Sequence, residues 1–116
     1  MEDSFGEVLR AKRRAANLSQ RELAAQLGMD FSYISKLENG RLPPPSADTV
    51  VAISRILSCQ PEELLALAGK LPSEVQGGVG RHPRAQEFLL NAQRMGLSDE
   101  EWGRMVAVLR ELRGDE

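Results

Sequence analysis

The stretch SQRELAAQLGMDFSYISKLENG, residues 19–40, constrains the fold of this chain more than any other part of the sequence. It opens with a serine and a glutamate three positions apart, a capping box that predicts a helix over 20–27. Gly28 ends this helix, because glycine adopts the left-handed backbone conformation without steric penalty. A second short helix is predicted over 31–38 and ends at Gly40. The sequence therefore predicts two short helices joined by a tight turn.

Helical patterns continue on both sides of this pair. A capping box at Ser4 predicts a helix over about 5–16, while Ser46 and Pro61 mark the starts of a fourth and a fifth helix. No stretch shows the alternation of a β-strand. We therefore predict an all-α fold with a five-helix domain over residues 1–70. Within this domain, two short helices joined by a glycine-containing turn are typical of a helix-turn-helix motif.

The rest of the chain is predicted to form a linker and a helical hairpin. The glycines of residues 71–82 favour a flexible linker, with room for one helical turn at residues 71–75. Over 83–116, apolar residues recur at helical spacing on both sides of a Gly-Leu-Ser turn. This pattern predicts an antiparallel pair of helices.

The composition excludes several classes of protein. The single cysteine, Cys59, cannot form an internal disulfide, and the single histidine, His82, argues against a histidine-based metal site or catalytic triad. The sequence has no recognisable pair of catalytic carboxylates and no phosphate-binding loop, so we expect no enzymatic activity, no cofactor and no metal. It also lacks a membrane-spanning apolar run and an N-terminal signal region, which predicts a cytoplasmic protein without a membrane partner.

The predicted helix over 31–38 carries a polar face opposite its apolar side, which is marked by Ile34 and Leu37. The polar face consists of Ser32, Ser35, Lys36 and Asn39. Such residues suit a helix in the major groove of DNA, because short hydroxyls permit close approach and a lysine can bind guanine. The basic cluster RAKRR at residues 10–14 would then supply phosphate contacts. The alternative is a solvated helix used for protein contacts. The net charge of −2 favours neither DNA binding nor this alternative.

The segment LSQRELAAQLGMDFSYISKLENGRLPPPSADTVVAISRIL resembles the Cro/C1-type (XRE) helix-turn-helix family, which includes the lambdoid phage repressors. The pattern LSQxELAxxLG followed by IxxLENG carries the resemblance, which covers about residues 5–68. It implies a lambda-repressor-like domain of five helices. In such a domain the second helix crosses the DNA backbone and the third lies in the major groove.

The resemblance and the positions of charged groups together suggest roles for individual residues. The family's base-reading positions correspond to Phe31, Ser32, Ser35 and Lys36, although the family often has a polar side chain where this chain has Phe31. The expected phosphate-contacting residues are Gln20, Arg21, Tyr33, Asn39 and Arg41, with a base-edge contact open for Gln20 and core packing open for Tyr33. Arg13 and Glu38 correspond to a pair that commonly forms a structural salt bridge.

The predicted hairpin has too few apolar residues to bury a core by itself, since two helices of about 13 residues are marginal without a partner. One alternative is docking onto the domain of residues 1–70. The preferred hypothesis is self-association through an apolar face formed by Phe88, Leu89, Trp102, Met105, Val106 and Leu109. In its order of helix, Gly-Leu-Ser turn and helix, this region is similar to the C-terminal multimerisation hairpin of SinR-like repressors.

These observations predict a sequence-specific transcriptional regulator, a repressor, that binds double-stranded DNA. We expect it to bind paired half-sites as a homodimer or higher homo-oligomer, with the helix over 31–38 in the major groove. An antagonist protein is a further candidate partner. The alternative function is that of an antitoxin-like or adaptor protein, whose main role is protein–protein interaction through the C-terminal hairpin.

Overall fold

A computed structural model describes residues 4–114, so the outermost residues of the predicted ranges 1–70 and 83–116 lie outside it. Over the described residues, the chain forms eight α-helices and no β-strand, which confirms the all-α prediction. The helices are α1 (Phe5–Ala15), α2 (Gln20–Leu27), α3 (Phe31–Glu38), α4 (Ala47–Ile56), α5 (Glu62–Ala68), α6 (Ser73–Gly80), α7 (Pro83–Met95) and α8 (Asp99–Glu111). The chain divides into two compact units, Met1–Gln76 and Gly77–Glu116. Each described helix is too short or too polar to cross a lipid bilayer.

Capping boxes begin α1 and α2 at the predicted serines. The Ser4 hydroxyl accepts a hydrogen bond from the Glu7 backbone N–H at 3.2 Å, and the Ser4 N–H donates to the Glu7 carboxylate at 3.0 Å. Ser19 and Glu22 form the same two bonds, at 3.0 and 2.8 Å. These bonds satisfy N–H groups that have no partner inside the helix. They therefore define where each helix begins, although helices this short depend on tertiary packing for their stability.

The helices α1 to α5 share one hydrophobic core. Its buried members are Phe5, Val8, Leu9, Leu23, Ala24, Ile34, Leu37, Val50, Ile53, Leu57 and Leu64. Each large aliphatic side chain in such a core contributes about 1.5–3 kcal/mol through its removal from water. The turn between α2 and α3 passes through Gly28, whose φ of 69° lies in the left-handed region. This turn lets both helices present their apolar sides to the same core.

Gly6 marks the closest approach of α1 to the end of α3. A Cβ atom at this position would lie 2.5 Å from the carbonyl oxygens of both Leu37 and Glu38. Only glycine fits such a contact without displacing a backbone. Gly6 therefore sets the distance between α1 and the C-terminal end of α3.

The segment expected to be a flexible linker contains the helix α6 instead of a single helical turn. The Asp48 carboxylate accepts hydrogen bonds from the Ser73 backbone N–H at 3.1 Å and from the Ser73 hydroxyl at 2.7 Å. Both bonds lower the pKa of Asp48, and the bond from the Ser73 hydroxyl has the larger effect. Nearby, the Lys70 ammonium group donates to the carbonyl oxygens of Pro44 and Pro45. The composition of this segment could not reveal that Asp48, 25 positions earlier, binds the first residue of α6.

In the second unit, Gly96–Ser98 connects α7 to α8. Gly96 has a φ of 61°, and the Ser98 hydroxyl accepts a hydrogen bond from the Glu101 N–H at 3.1 Å, as in a capping box. Among the residues of this unit that the structure describes, Ala92 alone is buried. The large apolar side chains remain exposed, with 45% of Phe88 and 40% of Trp102 open to solvent.

Candidate nucleic-acid interface

The last residue of α3, Glu38, is a buried carboxylate surrounded by donors. Its side chain has no exposed surface. Arg13 donates from Nε to Oε2 at 2.6 Å and from Nη2 to Oε1 at 3.0 Å, while Gln20 donates from Nε2 to Oε1 at 2.9 Å. Arg10 adds a bond from its Nε to Oε1 at 3.3 Å. A buried charge is tolerated only when it is paired and hydrogen-bonded, and this carboxylate is both.

The donors around Glu38 determine its ionisation. Burial alone would raise the pKa of this carboxyl, but hydrogen bonds from Arg13, Gln20 and Arg10 and the Arg13 charge outweigh burial. The pKa of Glu38 therefore lies below its ordinary value. The hydrogen bond to Glu38 correspondingly raises the pKa of Arg13. Both groups stay charged at neutral pH, and this ion pair attaches α1 to the end of α3.

Arg10 also belongs to this cluster, whereas the sequence suggested it only as part of the basic run 10–14 that would contact phosphate. Its Nη2 atom donates to the Asn39 side-chain oxygen at 2.7 Å and to the Glu38 backbone carbonyl at 3.3 Å. The spacing of Arg10 and Arg13 could have predicted this contact. The two residues are three positions apart, and residues at that distance share a face of a helix. Asn39, expected to contact phosphate, uses its side-chain oxygen within the protein in this structure.

The polar face of α3 is open to solvent. Ser32 and Lys36 are exposed, and Ser35 is half-buried. The Ser32 hydroxyl donates to the Asp30 carboxylate at 3.0 Å, and the Asn39 amide donates to the Ser35 hydroxyl at 3.5 Å. The hydroxyls are therefore held by the residues that flank α3 at its two ends, Asp30 and Asn39, while the apolar side of α3 is fixed in the core. Such a face is accessible to a large, flat partner surface.

The remaining candidate phosphate contacts border this face. The Gln20 amide nitrogen donates one hydrogen bond to Glu38 and has a second hydrogen available for another acceptor. Tyr33 is half-buried against the core, and burial raises the pKa of its hydroxyl, which stays neutral and able to donate. Arg41 is exposed, and its backbone N–H donates to the Lys36 carbonyl at 2.9 Å, which continues the chain directly from α3.

A concavity of about 500 Å³ lies beside the N-terminal end of α3. It is lined by Arg10, Arg13, Arg14, Ser19, Gln20, Arg21 and Phe31. At its edge the guanidinium of Arg21 lies over the Phe31 ring, with 4.4 Å between Cζ and the ring centroid. The structure thus joins the aromatic residue at the tip of α3 to an arginine of α2, a contact that neither residue's spacing revealed.

In the second unit, apolar side chains surround a concavity of about 360 Å³. It is lined by Phe88, Trp102, Met105, Val106, Val108, Leu109 and Leu112. Five of these were predicted to form an oligomerisation face. Leu89, also predicted for that face, is 42% exposed and lies outside this lining, whereas Val108 and Leu112 belong to it.

Comparison with known proteins finds a family that is similar to part of the first unit. A family model described as helix-turn-helix matches residues 9–64. Over these residues the chain is similar to that family. This match and the named relatives confirm the resemblance to Cro/C1-type regulators.

Three of the matching relatives are named as regulators or as a repressor. The HTH-type transcriptional regulator RghRB of Bacillus subtilis (strain 168) is 36% identical over 75 residues, which are 62% of this chain and 54% of that protein. The regulator Rv0474 of Mycobacterium tuberculosis (strain ATCC 25618 / H37Rv) is 40% identical over 70 residues, 60% of this chain and 49% of that protein. The HTH-type transcriptional repressor RghR of B. subtilis is 36% identical over 67 residues, 58% of this chain and 50% of that protein. The matched region spans about half the length of these relatives.

A solved structure resembles the fold over most of the chain. A chain of the SinR protein/SinI protein complex aligns with a TM-score of 0.50 at 19% identity, and the alignment covers 91% of this chain and 94% of that one. The identity is low, so this likeness describes the fold. It agrees with the predicted order of a helix-turn-helix domain followed by further helices.

Proposed function

We propose that this protein is a sequence-specific transcriptional regulator, a repressor, that binds double-stranded DNA with α3 in the major groove. The observation that carries this proposal is the two-sided character of α3. One side is fixed in the core and by the Glu38 cluster, while the other is exposed, polar and bordered by arginines. A recognition helix needs this combination of firm support and an accessible polar face. The names of the relatives, among them a transcriptional repressor, support the same function.

The exposed side of α3 supplies the proposed base contacts. Lys36 would bind the O6 and N7 acceptors of guanine, while Ser32 and Ser35 would donate to or accept from base edges at close range. The hydroxyls would exchange their present partners at the two ends of α3 for base atoms, which leaves few polar groups unsatisfied in either state.

The proposed phosphate contacts surround these bases. Gln20 and Asn39 are both hydrogen-bonded within the Glu38 cluster, Arg41 lies in the chain that follows α3, and Tyr33 would donate from its neutral hydroxyl. The chain carries a net charge of −2, so attraction to DNA must come from the local concentration of arginines beside α3. Binding should therefore weaken steeply as salt increases, because each neutralised phosphate releases counterions.

We further propose that the second unit pairs with a second copy of itself. Its apolar side chains line a common concavity, and residues such as Leu109, 69% exposed, are too apolar for a permanently solvated surface. A symmetric contact between two copies would cover the same patch on each. Dimerisation would also place two helix-turn-helix units on one molecule, so that the second half-site is bound at high effective concentration.

Selection of bound sequences from random double-stranded DNA by the full-length protein tests the proposed function. The wild-type protein should enrich one sequence, arranged as paired half-sites. Lys36→Ala should remove the preference at one or more positions. Arg84→Ala, which removes one positive charge from the second unit, should leave the preference unchanged. Equal enrichment by the wild type and Lys36→Ala would contradict the base contact assigned to Lys36.

A second candidate function is protein–protein interaction through the second unit, as an adaptor or as the target of an antagonist protein. The exposed apolar concavity favours it, and a chain of similar fold was solved as part of a SinR protein/SinI protein complex. The two candidates differ in one result. A wild-type protein that enriches no DNA sequence, yet forms a defined complex that Trp102→Ala abolishes, would favour this second function.

A further inference from the structure

We infer that Arg21 reads a guanine at the N-terminal tip of α3 and that Phe31 is the residue that positions it. This assignment rests on the proposed DNA-binding function. It replaces the phosphate contact expected for Arg21 and the direct base contact expected for Phe31. It also accounts for an aromatic residue at a position where the resembling family often has a polar one.

The first observation is the contact itself. The Arg21 guanidinium lies over the Phe31 ring, 4.4 Å from Cζ to the centroid. A cation over a ring face is attracted by the ring's quadrupole, and arginine is well suited to this geometry because its charged group is planar. Phe31 is the first residue of α3, so the contact holds the guanidinium at the end of the helix where base-contacting residues lie.

The second observation is that the Arg21 charge has no other partner in the part of the chain that the structure describes. No carboxylate between residues 4 and 114 lies within ion-pair distance of it. The adjacent carboxylate of Glu22 accepts the Ser19 backbone N–H in the cap of α2. Arg10 and Arg13, in contrast, are bound to Glu38. The exposed Arg21 is therefore held by the Phe31 ring, and its N–H donors have no acceptor among the described residues.

The chemistry of the guanidinium then selects the ligand. Arginine presents parallel N–H donors, and guanine offers the O6 and N7 acceptors in the major groove as a matching pair. A lysine at this position would have neither the planar contact with the ring nor the paired donors. Leucine in place of Phe31 would fill similar space without the quadrupole, whereas tyrosine would keep a ring.

Base selection with a set of variants tests this inference. The wild-type protein should prefer guanine at one position of each half-site. Arg21→Ala and Arg21→Lys should both reduce that preference by about tenfold or more, the value of one good bidentate contact. Phe31→Leu should weaken the preference at the same position, and Phe31→Tyr should retain it. Arg14→Ala, a matched control from the same concavity, should lower affinity evenly for all sequences.

Two results would overturn the inference while leaving DNA binding intact. Arg21→Ala could weaken binding to every sequence equally, which would make Arg21 a phosphate contact. Alternatively, Phe31→Leu could alter a thymine position that Arg21→Ala leaves unchanged, which would make Phe31 a base contact by itself. Absence of any enrichment by the wild-type protein would overturn the DNA-binding proposal and this inference with it. Circular dichroism of each variant would verify that the helices are retained.

Discussion

The two units of this protein bury their apolar residues to very different degrees. In Met1–Gln76, five helices enclose a shared core, and even the charged groups Arg13 and Glu38 are buried and paired. In Gly77–Glu116, the side chains of Phe88 and Trp102 are almost half exposed. The first unit has the features of a self-sufficient fold. The second leaves its largest apolar groups exposed to solvent, as the proposed pairing with a second copy requires.

This difference indicates where substitutions should act. A change in the first unit alters packing that is complete within one chain, so it should appear as a loss of folding free energy. A change on the apolar face of the second unit should alter association between chains and depend on protein concentration.

The largest effect is expected from Glu38→Ala. The substitution would leave the buried guanidinium of Arg13 without its carboxylate, and breaking a buried pair in this way costs about 3–5 kcal/mol. The free energy of unfolding from urea titrations followed by circular dichroism measures this loss. Glu38→Gln, which keeps the shape and one acceptor, should lose less. A loss below about 1 kcal/mol would show that the cluster is dispensable for the fold.

The ionisation of Glu38 gives this prediction a pH dependence. Its folded pKa is lowered, so the ionised carboxylate stabilises the fold fully above its ordinary value of 4.5, and this stabilisation disappears as the pH falls through the lowered value. The wild type should therefore lose more stability between pH 7 and acid pH than Glu38→Gln does. Parallel stability curves for the two proteins would contradict the prediction.

The next effect compares two glycines within helices. Gly6→Ala should destabilise the first unit by up to about 3 kcal/mol, because the new methyl group overlaps two backbone carbonyl oxygens. Gly103→Ala is the matched control in α8, where a Cβ would meet no atom within 4 Å. It should be neutral or stabilise by about 0.5–1 kcal/mol through helix propensity. Thermal unfolding of both variants separates packing from propensity, and equal shifts would refute the close contact at Gly6.

Trp102→Ala should weaken self-association of the second unit. A buried tryptophan at an interface centre is commonly worth about 2 kcal/mol or more, equivalent to a rise of about 30-fold in the dissociation constant. Sedimentation equilibrium over a range of concentrations measures this change. Leu90→Ala is the control, since Leu90 is 55% exposed and lies outside the lining of the apolar concavity. An identical mass distribution for wild type and Trp102→Ala would reject self-association through this face.

The smallest effect is expected from Ser54→Ala in α4. The Ser54 hydroxyl is buried, and it has no hydrogen-bond partner among the described residues. Alanine removes an unsatisfied polar group and has a higher helix propensity, so stability should rise by about 1 kcal/mol. Chemical denaturation measures the change. A decrease would contradict the assignment of this hydroxyl as an unsatisfied group.

Local signals predicted most of the first unit. The serines at positions 4, 19 and 46 begin their helices because a side-chain cap depends only on residues three positions apart. The left-handed turn at Gly28 is a local property for the same reason. The α6 helix was not predicted beyond one turn, because its cap comes from Asp48 across the fold and the segment's glycines suggest flexibility.

The candidate site likewise contains features that local spacing predicts and features that it does not. The polar residues Ser32 and Lys36 follow from helical periodicity, which requires only their spacing from the apolar side. Periodicity does not predict the contact partners of Phe31 and Arg10. These partners, Arg21 and Asn39, belong to other elements of the fold. Sequence spacing identifies which side chains share a helix face, whereas contacts between helices depend on how the helices pack.

The buried position of Glu38 has a consequence for altering the target of this protein. The contacts of α3 with the ion-pair cluster and the core lie on its buried side. Substitutions at Ser32, Ser35 and Lys36 therefore remove few contacts needed for folding. New combinations at these three positions should therefore remain folded while they change the sequence preference that we propose for α3. The residues that stabilise α3 are thus separate from the residues proposed to contact bases, so the proposed DNA preference should be open to redesign without loss of the fold.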